Sequence, residues 1–326
     1  MNFSNLKSYQ TLVLAFVLTI ISQTMIANAQ HNWPRDFQNV GQSYIELGAK
    51  AYDRPGLDGP GFPVLTGGET GAVFLDSNDF IDIGGSAGAE VRFGKDSYRG
   101  LKWEVRSFLV NWEEDFSFDD PDLTSPFSPD LDPDRVDIDF DSQIYSIELS
   151  FRRPLTSGIT LIAGPRYVSF NEELRFETET DVTTPLGIVD VLSENEINVR
   201  NSLLGGQIGA LVNYQFSRDV YIQGFIRASG FANFIELTTF ADTNQTDPIE
   251  GVFRRDQSAF IGEVGGKMYW DVIPGSMSFF GGYEATWLDD VAVAPAQVVD
   301  GLLPTEIVAG DTPFFHAVTF GLQFRQ

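Results

Sequence analysis

The stretch Tyr145-Ser-Ile-Glu-Leu-Ser-Phe-Arg152 decides the fold class. Its apolar side chains occupy every second position, and serine, glutamate or arginine fills the positions between them. Successive side chains of a β-strand point to opposite sides, so strict alternation predicts a strand with one apolar and one polar face. Residues 101–106 alternate in the same way, with Trp103 at the centre of the apolar set. The sequence therefore predicts amphipathic strands.

Ten segments of this kind follow residue 43, and most of them are at least ten residues long. Strands of soluble domains usually run about 5–6 residues, whereas a strand tilted across a bilayer needs about 9–11. The length of the segments therefore favours strands that cross a membrane. The predicted strands are 43–52, 80–93, 100–112, 142–153, 158–171, 196–214, 219–235, 258–270, 276–288 and 313–324.

Short and long connections alternate along the chain. The short turns lie at 94–99, 154–157, 215–218 and 271–275, and the long connections at 53–79, 113–141, 172–195, 236–257 and 289–312. An up-and-down antiparallel barrel with both termini on one side gives this alternation, with short periplasmic turns and long extracellular loops. We predict an all-β transmembrane barrel of about ten strands, or twelve if 70–76 or 186–192 pairs at membrane depth. A soluble secreted β-sandwich is the alternative.

Charge and composition narrow the function classes. The 326 residues include 46 acidic and 21 basic side chains, for a net charge of −25, and no cysteine. These numbers exclude a disulfide scaffold and a cysteine nucleophile, and they argue against a nucleic-acid partner, which needs clustered Lys and Arg. The five long connections carry −4, −11, −6, −3 and −5, or −29 together. The predicted acidity therefore lies on one side of the barrel.

The first 29 residues are predicted to be a secretory signal peptide. Lys7 precedes an apolar run over 11–21, and Ala27-Asn28-Ala29 forms a small-x-small cleavage site. An uncleaved anchor helix is the alternative, but it needs about 20 apolar residues and the run breaks at Ser22. We expect residues 30–42 to form an N-terminal periplasmic segment and residues 43–326 the barrel, in the outer membrane of a Gram-negative-type bacterium.

The polar parity of the predicted strands carries both signs of charge in nearly equal number. A barrel of about ten strands is close to the roughly eight-strand size whose interior side chains nearly fill. We predict a narrow pore for small solutes, cation-preferring because its acidic mouth concentrates cations. The alternative is a non-conducting barrel that anchors an acidic extracellular surface for binding or structure. The predicted pore-lining residues are Glu46, Lys50, Asp82, Glu90, Arg92, Lys102, Glu104, Arg106, Glu148, Arg152, Arg166, Arg227, Glu263, Lys267 and Glu284.

Three stretches, 201–214, 222–234 and 280–297, carry a family resemblance. The last of them reads Phe280-Gly-Gly-Tyr-Glu-Ala-Thr-Trp-Leu-Asp-Asp-Val-Ala-Val-Ala-Pro-Ala-Gln297. They resemble an outer-membrane β-barrel porin family of planctomycete-type bacteria, over about the C-terminal 130 residues. The N-terminal half resembles it by pattern only. The resemblance implies an outer-membrane location and a porin-like role, and it implies no catalytic residue.

No motif in the sequence predicts catalysis or a cofactor. His31 and His316 are the only histidines, one at the predicted mature N-terminus and the other in the last predicted strand. We therefore predict neither a Ser–His–Asp site nor a three-histidine metal site, and we place His316 at the membrane interface. Asp137, Asp139 and Asp141 share one edge of the acidic connection 113–141. They suit weak binding of a divalent cation, or a solvated loop that prevents self-association, which we favour. The predicted partners are outer-membrane lipid and small solutes.

Overall fold

Thirteen β-strands make up the described fold. The computed structural model describes residues 43–54, 63–67, 73–76, 83–96, 102–119, 123–124, 134–156, 158–184, 187–244, 246–298, 304 and 306–326. The predicted signal peptide and the segment 30–42 lie outside these residues. In chain order the strands are β1 (Ser43–Arg54), β2 (Pro63–Gly67), β3 (Val73–Asp76), β4 (Ile83–Asp96), β5 (Lys102–Asp119), β6 (Leu123–Thr124), β7 (Arg135–Pro154), β8 (Ile159–Thr184), β9 (Gly187–Gln215), β10 (Val220–Thr243), β11 (Thr246–Ile273), β12 (Met277–Asp289) and β13 (Phe314–Arg325).

Ten of these strands close into an antiparallel barrel, in the order β1-β13-β12-β11-β10-β9-β8-β7-β5-β4. β1 closes the barrel because it pairs with β13 on one side and with β4 on the other. The predicted ten-strand up-and-down barrel is confirmed. The twelve-strand alternative is wrong, since Val73–Asp76 belongs to a separate three-stranded sheet and residues 187–192 are part of β9. No helix among the described residues is long and apolar enough to cross a bilayer.

The outer face of the barrel carries an apolar band. Ile147 and Phe151 on β7, Ile208 on β9 and Phe320 on β13 all point outward, with 41 to 68 % of their surface exposed. The inward positions between them are polar or charged. A soluble protein has the opposite arrangement, and an apolar exterior around a polar interior is typical of barrels that face lipid. The predicted transmembrane barrel is therefore confirmed by its two faces.

Six adjacent strands continue well beyond the apolar band at the end that we call the upper end. β8 has 26 residues and β9 has 29, where about 9–11 suffice to cross a bilayer. In this extension the alternation is reversed, with Ile138 and Leu174 pointing inward at 0 % exposure while Asp139 and Glu173 point outward. We call the extension the wall, formed by 113–119, 135–143, 171–184, 187–200, 236–243 and 246–257.

The wall corrects three of the predicted loops. Most of 113–141, 172–195 and 236–257 is strand, because β5, β7, β8, β9, β10 and β11 run through these segments. The period of two persists there, but the apolar parity switches, on β7 between the inward Ile144 and the outward Tyr145. A buried apolar inner face offsets the entropy of ordering these acidic segments, which a solvated loop does not do.

Candidate functional site in the lumen

The predicted pore-lining residues lie on the inner face of the barrel, as far as the structure describes them. Asp82 lies outside the described residues, and the other fourteen occupy inward positions of the barrel strands. Twelve of the fourteen are no more than 3 % exposed, whereas Lys102 and Arg152 are partly exposed. Strand alternation thus brings this set together in the lumen. That these residues line a pore remains a prediction.

The centre of the lumen is an ion-pair cluster around Arg106 on β5. Its guanidinium donates through Nε to Glu90 at 2.8 Å and through Nη2 to Glu284 at 3.1 Å, and Nη1 lies 3.4 Å from Glu263. Lys50 joins the same carboxylates, with its Nζ 2.9 Å from Glu90 and in contact with Glu284. One arginine therefore connects carboxylates from β4, β11 and β12, which do not all neighbour β5 in the sheet.

A second group extends this cluster toward β8 and β10. Arg166 donates through Nη1 to Glu263 at 2.6 Å, and its Nε lies 3.8 Å from Glu148. Arg227 approaches Glu148 as well, with Nη1 3.4 Å from Oε1. Both carboxylate oxygens of Glu148 and the Nε and Nη1 of Arg227 are buried without a hydrogen-bond partner among the described residues. This part of the lumen is charged but incompletely hydrogen-bonded.

The lower end of the lumen is organised around Glu46 on β1. Its carboxylate accepts hydrogen bonds from Tyr269 at 3.0 Å and from Gln323 at 2.7 Å, and Lys267 approaches it at 3.4 Å. Lys267 also donates to Glu90 at 2.8 Å, so the lower group is continuous with the central cluster. Eleven of the fourteen lumen residues therefore form one connected network of ion pairs, and Glu104 pairs separately with Arg152.

The sequence did not predict a separate buried ion pair above the network, between Arg54 on β1 and Glu172 on β8. The guanidinium of Arg54 also lies between two aromatic rings, 5.7 Å from Phe170 and 5.5 Å from Phe315. Both charged residues fall in segments that were predicted to be loops. Their parity was an available signal, because Arg54 is in phase with Lys50 and Glu172 is in phase with Arg166.

Part of the predicted loop 289–312 turns inward and covers the upper mouth of the barrel. We call residues 290–298 and 306–313, which lie between β12 and β13, the strap. Val291, Ala292, Val293 and Ala294 are all 0 % exposed, and a short 3-10 helix follows at Pro295–Gln297. This connection is therefore no freely solvated extracellular loop, because its small apolar side chains pack into the mouth.

Polar side chains of the barrel hold the strap by its backbone. Asn201 on β9 accepts from the N–H of Ala292 at 3.0 Å and donates to the carbonyl of the same residue at 2.7 Å. Glu172 accepts from the N–H of Ala294 at 2.8 Å. Within the strap, the buried Gln297 donates to Val308 at 2.7 Å and accepts from its N–H at 2.9 Å. The contacts satisfy buried backbone groups that a strand ladder would otherwise satisfy.

Two further candidates from the sequence lie on the outer surface. Asp137, Asp139 and Asp141 point outward from β7, where Asp137 pairs with Arg135 at 2.8 Å. The described residues hold no group of three or more metal-ligating side chains. His316 points outward from β13, with its Nδ1 in contact with the Tyr283 hydroxyl and its ring 4.5 Å from that of Phe314.

The outer face of the wall also carries a groove of about 470 Å³ across β5, β7, β8 and β9. The register places Asn111 opposite Gln143, and Gln143 opposite Asn171. These three residues form a row of side-chain amides. Two residues higher along β5, β7 and β8, Glu113, Asp141 and Glu173 form a row of carboxylates. The groove residues that point outward are Asn111, Glu113, Asp141, Gln143, Asn171, Glu173, Asn198 and Arg200.

The fold and the lumen define a class, the transmembrane β-barrels with a charged interior. No family model and no curated protein matches the chain, so the resemblance to planctomycete-type porins remains an expectation. Solved structures of similar architecture include outer-membrane barrels. The outer membrane protease OmpT of Escherichia coli is 9 % identical with TM-score 0.45, over 88 % of this chain and 97 % of that one.

Two further solved structures are similar in architecture. The toluene transporter TodX of Pseudomonas putida is 9 % identical with TM-score 0.33, over 88 % of this chain and 89 % of that one. A major outer membrane protein of Thermus thermophilus is 10 % identical with TM-score 0.32, over 87 % of this chain and 99 % of that one. These likenesses concern barrel architecture.

Proposed function

We propose that this chain is an outer-membrane barrel with a closed lumen, which presents the acidic wall at the cell surface. The observation that carries the proposal is the burial of the lumen charges, twelve of which are at most 3 % exposed. The strap adds a second closure above them. In this orientation the upper end faces outward from the cell and the short turns face the periplasm, as the sequence pattern predicts.

The ion pairs give the closure an energetic basis. A solute that passes the centre of the lumen must separate Arg106 from Glu90, Glu263 and Glu284. Leaving one partner of a buried pair uncompensated costs about 3–5 kcal/mol. The network around Arg106 includes several such pairs, so thermal opening of the whole lumen is rare.

The wall supplies the surface through which such a barrel acts. Its outer face combines unpaired carboxylates with the amide row of the groove, and Glu113 and Asp141 make no hydrogen bond or ion pair among the described residues. A surface of this charge attracts cationic partners and repels anionic ones. We propose that the wall binds a basic macromolecule, with the membrane part as its anchor.

The test is single-channel conductance of the refolded protein in a planar bilayer. We expect no current from the unaltered chain. A variant that combines Glu90→Ala and Arg106→Ala with replacement of residues 290–313 by a short linker removes both the centre of the network and the strap, and discrete current steps from it are the expected positive control. Discrete steps from the unaltered chain would overturn the closed-lumen proposal.

Porin-like passage of small solutes is the second candidate function. The observation that favours it is the unsatisfied region at Glu148 and Arg227, because buried polar atoms without partners are typical of a lumen that water can enter. The sequence predicts cation preference for such a pore. A reversal potential measured across a salt gradient would give its sign, and anion preference would mean that the lumen arginines set the selectivity.

The remaining assignments are also proposals. We propose that the protein is not an enzyme, since the only described histidine, His316, lies against Tyr283 on the outer surface.

We propose cleavage of the signal peptide after Ala29, which N-terminal sequencing of the protein from membrane fractions checks. Gln30 is the expected first residue, and recovery of intact Met1 would contradict cleavage.

A further inference from the structure

Asp311 is a charged residue in the part of the strap that closes the mouth. Its backbone forms an isolated bridge with Val291, through hydrogen bonds of 3.2 and 3.4 Å. The side-chain oxygen Oδ2 is buried and has no hydrogen-bond partner among the described residues. The residue as a whole is half-buried, and its Oδ2 atom lacks the donors that normally stabilise a buried charge.

The charged surroundings of Asp311 come from two barrel strands. Glu172 on β8 raises the energy of a negative charge at Asp311, and Arg54 on β1 lowers it. Arg54 is already engaged with Glu172, so its compensation of a second carboxylate is incomplete. From β11, Arg255 approaches the strap but donates to the backbone carbonyl of Ile307 at 3.0 Å.

Burial and the Glu172 carboxylate together raise the pKa of Asp311 to about 6, with Arg54 acting in the opposite direction. The ordinary value is 3.8, so the docked strap holds the proton more tightly than a released strap does. By linkage, docking is strongest below about pH 4 and weakens about tenfold per pH unit up to about 6, after which it changes little.

We propose that the strap is a pH-responsive cover of the barrel mouth, docked by the protonated Asp311 and loosened when Asp311 ionises beside Glu172. The same carboxylate, Glu172, accepts from the backbone of Ala294 and so holds the docked strap. The repelling charge and the anchor are therefore one group, and ionisation acts directly on the contact that keeps the strap in place.

The device is independent of whether the barrel conducts. A loosened strap exposes the mouth to solvent while the ion-pair network below stays intact. Strap docking and conductance are therefore separate measurements, and failure of one leaves the other unaffected.

Hydrogen exchange of two strap amides tests the proposal. The N–H groups of Ala292 and Ala294 donate to barrel side chains only when the strap is docked. After correction for intrinsic exchange, we expect their protection to fall about 100-fold between pH 4 and pH 7 in the unaltered chain. In Asp311→Asn, protection should stay constant over this range.

The matched control is Asp290→Asn, which removes the same charge from an exposed position of the same strap. Asp290 has a φ of 60°, a conformation that asparagine also adopts readily. Its pH response should equal that of the unaltered chain. Equal pH responses in the Asp311→Asn and Asp290→Asn variants, or protection that is flat in the unaltered chain, would overturn the proposal.

Glu172→Gln provides a second test that does not depend on the folding of Asp311→Asn. Glutamine retains an acceptor for the N–H of Ala294 but removes the negative charge, and it releases Arg54 to face Asp311. Both effects stabilise the ionised carboxylate. The midpoint of the protection change should therefore move to lower pH, and an unchanged midpoint would contradict the role of Glu172.

Discussion

The guanidinium of Arg166 on β8 donates to the carboxylate of Glu263 on β11 at 2.6 Å, although the two residues are 97 positions apart. β9 and β10 separate these strands in the sheet, so the ion pair crosses the lumen and does not join neighbouring strands. Ion pairs across the lumen therefore hold non-neighbouring strands together, in addition to the hydrogen bonds between neighbouring strands.

Removal of Arg166 should destabilise the barrel more than removal of a surface arginine. We expect Arg166→Ala to lower the free energy of unfolding by about 3 kcal/mol, because Glu148 and Glu263 each lose a buried partner. The comparison is Arg175→Ala, whose exposed pairs with Glu177 and Glu194 contribute less than about 1 kcal/mol. Urea unfolding in detergent micelles measures both, and equal losses would contradict this role of the ion pairs across the lumen.

The reversed alternation of the wall gives opposite effects at adjacent residues. Leu174 points inward and is 0 % exposed, so Leu174→Ala should cost about 2–5 kcal/mol in the free energy of unfolding. Glu173 points outward, and Glu173→Ala should change it by at most about 0.5 kcal/mol. If both variants unfold like the unaltered chain in urea, the segment behaves as a solvated loop and the wall is not a packed structure.

A charged side chain on the outer face should impair membrane insertion when it lies in the apolar band, but not when it lies in the wall. Ile208 is 68 % exposed on the outer face of β9, and Ile208→Arg should cost about 2–4 kcal/mol if it lies near the middle of the bilayer. Asn198→Arg changes an outward residue of the same strand within the wall and should insert normally. The folded fraction after insertion into lipid vesicles reports the difference. Normal insertion of Ile208→Arg would mean that this face does not meet lipid.

Two aspartates of β7 should respond to pH in opposite ways. Burial, followed by repulsion from Glu113, Asp115 and Asp139, raises the pKa of Asp141. Folding thus favours its protonated form, and its contribution to stability is lost as pH rises through the raised pKa. Asp141→Asn should therefore be more stable than the unaltered chain at pH 7 and equal to it at pH 3, in urea unfolding.

Asp137 is the control with the opposite sign. The hydrogen bond from Arg135 lowers the pKa of Asp137, so folding favours its charged form. Its stabilising contribution is present above the unfolded value and is lost as pH falls through the lowered pKa. Asp137→Asn should therefore be less stable than the unaltered chain at pH 7. Changes of the same sign in both aspartate variants would rule out these assignments.

The sequence predicted the barrel and its lumen better than the wall. Alternation places Glu90, Arg106 and Glu263 inward because the parity of a strand fixes the direction of each side chain. It does not show that Arg106 contacts both carboxylates, because that depends on how non-neighbouring strands face each other across the lumen. Loops are predicted in the wall, although Val136, Ile138 and Phe140 keep the period of two, because the apolar parity there is opposite to that of the predicted strands.

The contacts that hold the strap in the mouth could not have been predicted from local pattern. Asn201 and Ala292 are 91 positions apart, and neither has a neighbour in sequence that indicates the other. The apolar composition of Val291-Ala-Val-Ala294 was an available signal, since such a run is unusual in a connection that water surrounds. Only the closed barrel brings Asn201 and Glu172 to the position where they meet this run.

The switch of parity between Ile144 and Tyr145 fixes how deeply the barrel sits in its membrane. Below this line the outer face is compatible only with hydrocarbon, and above it the carboxylates of the wall are compatible only with water. A shift of four residues along β7 would place Asp141 in lipid in one direction and expose Ile147 to water in the other. The barrel therefore carries its own vertical registration, set by the chain and independent of any partner or soluble domain.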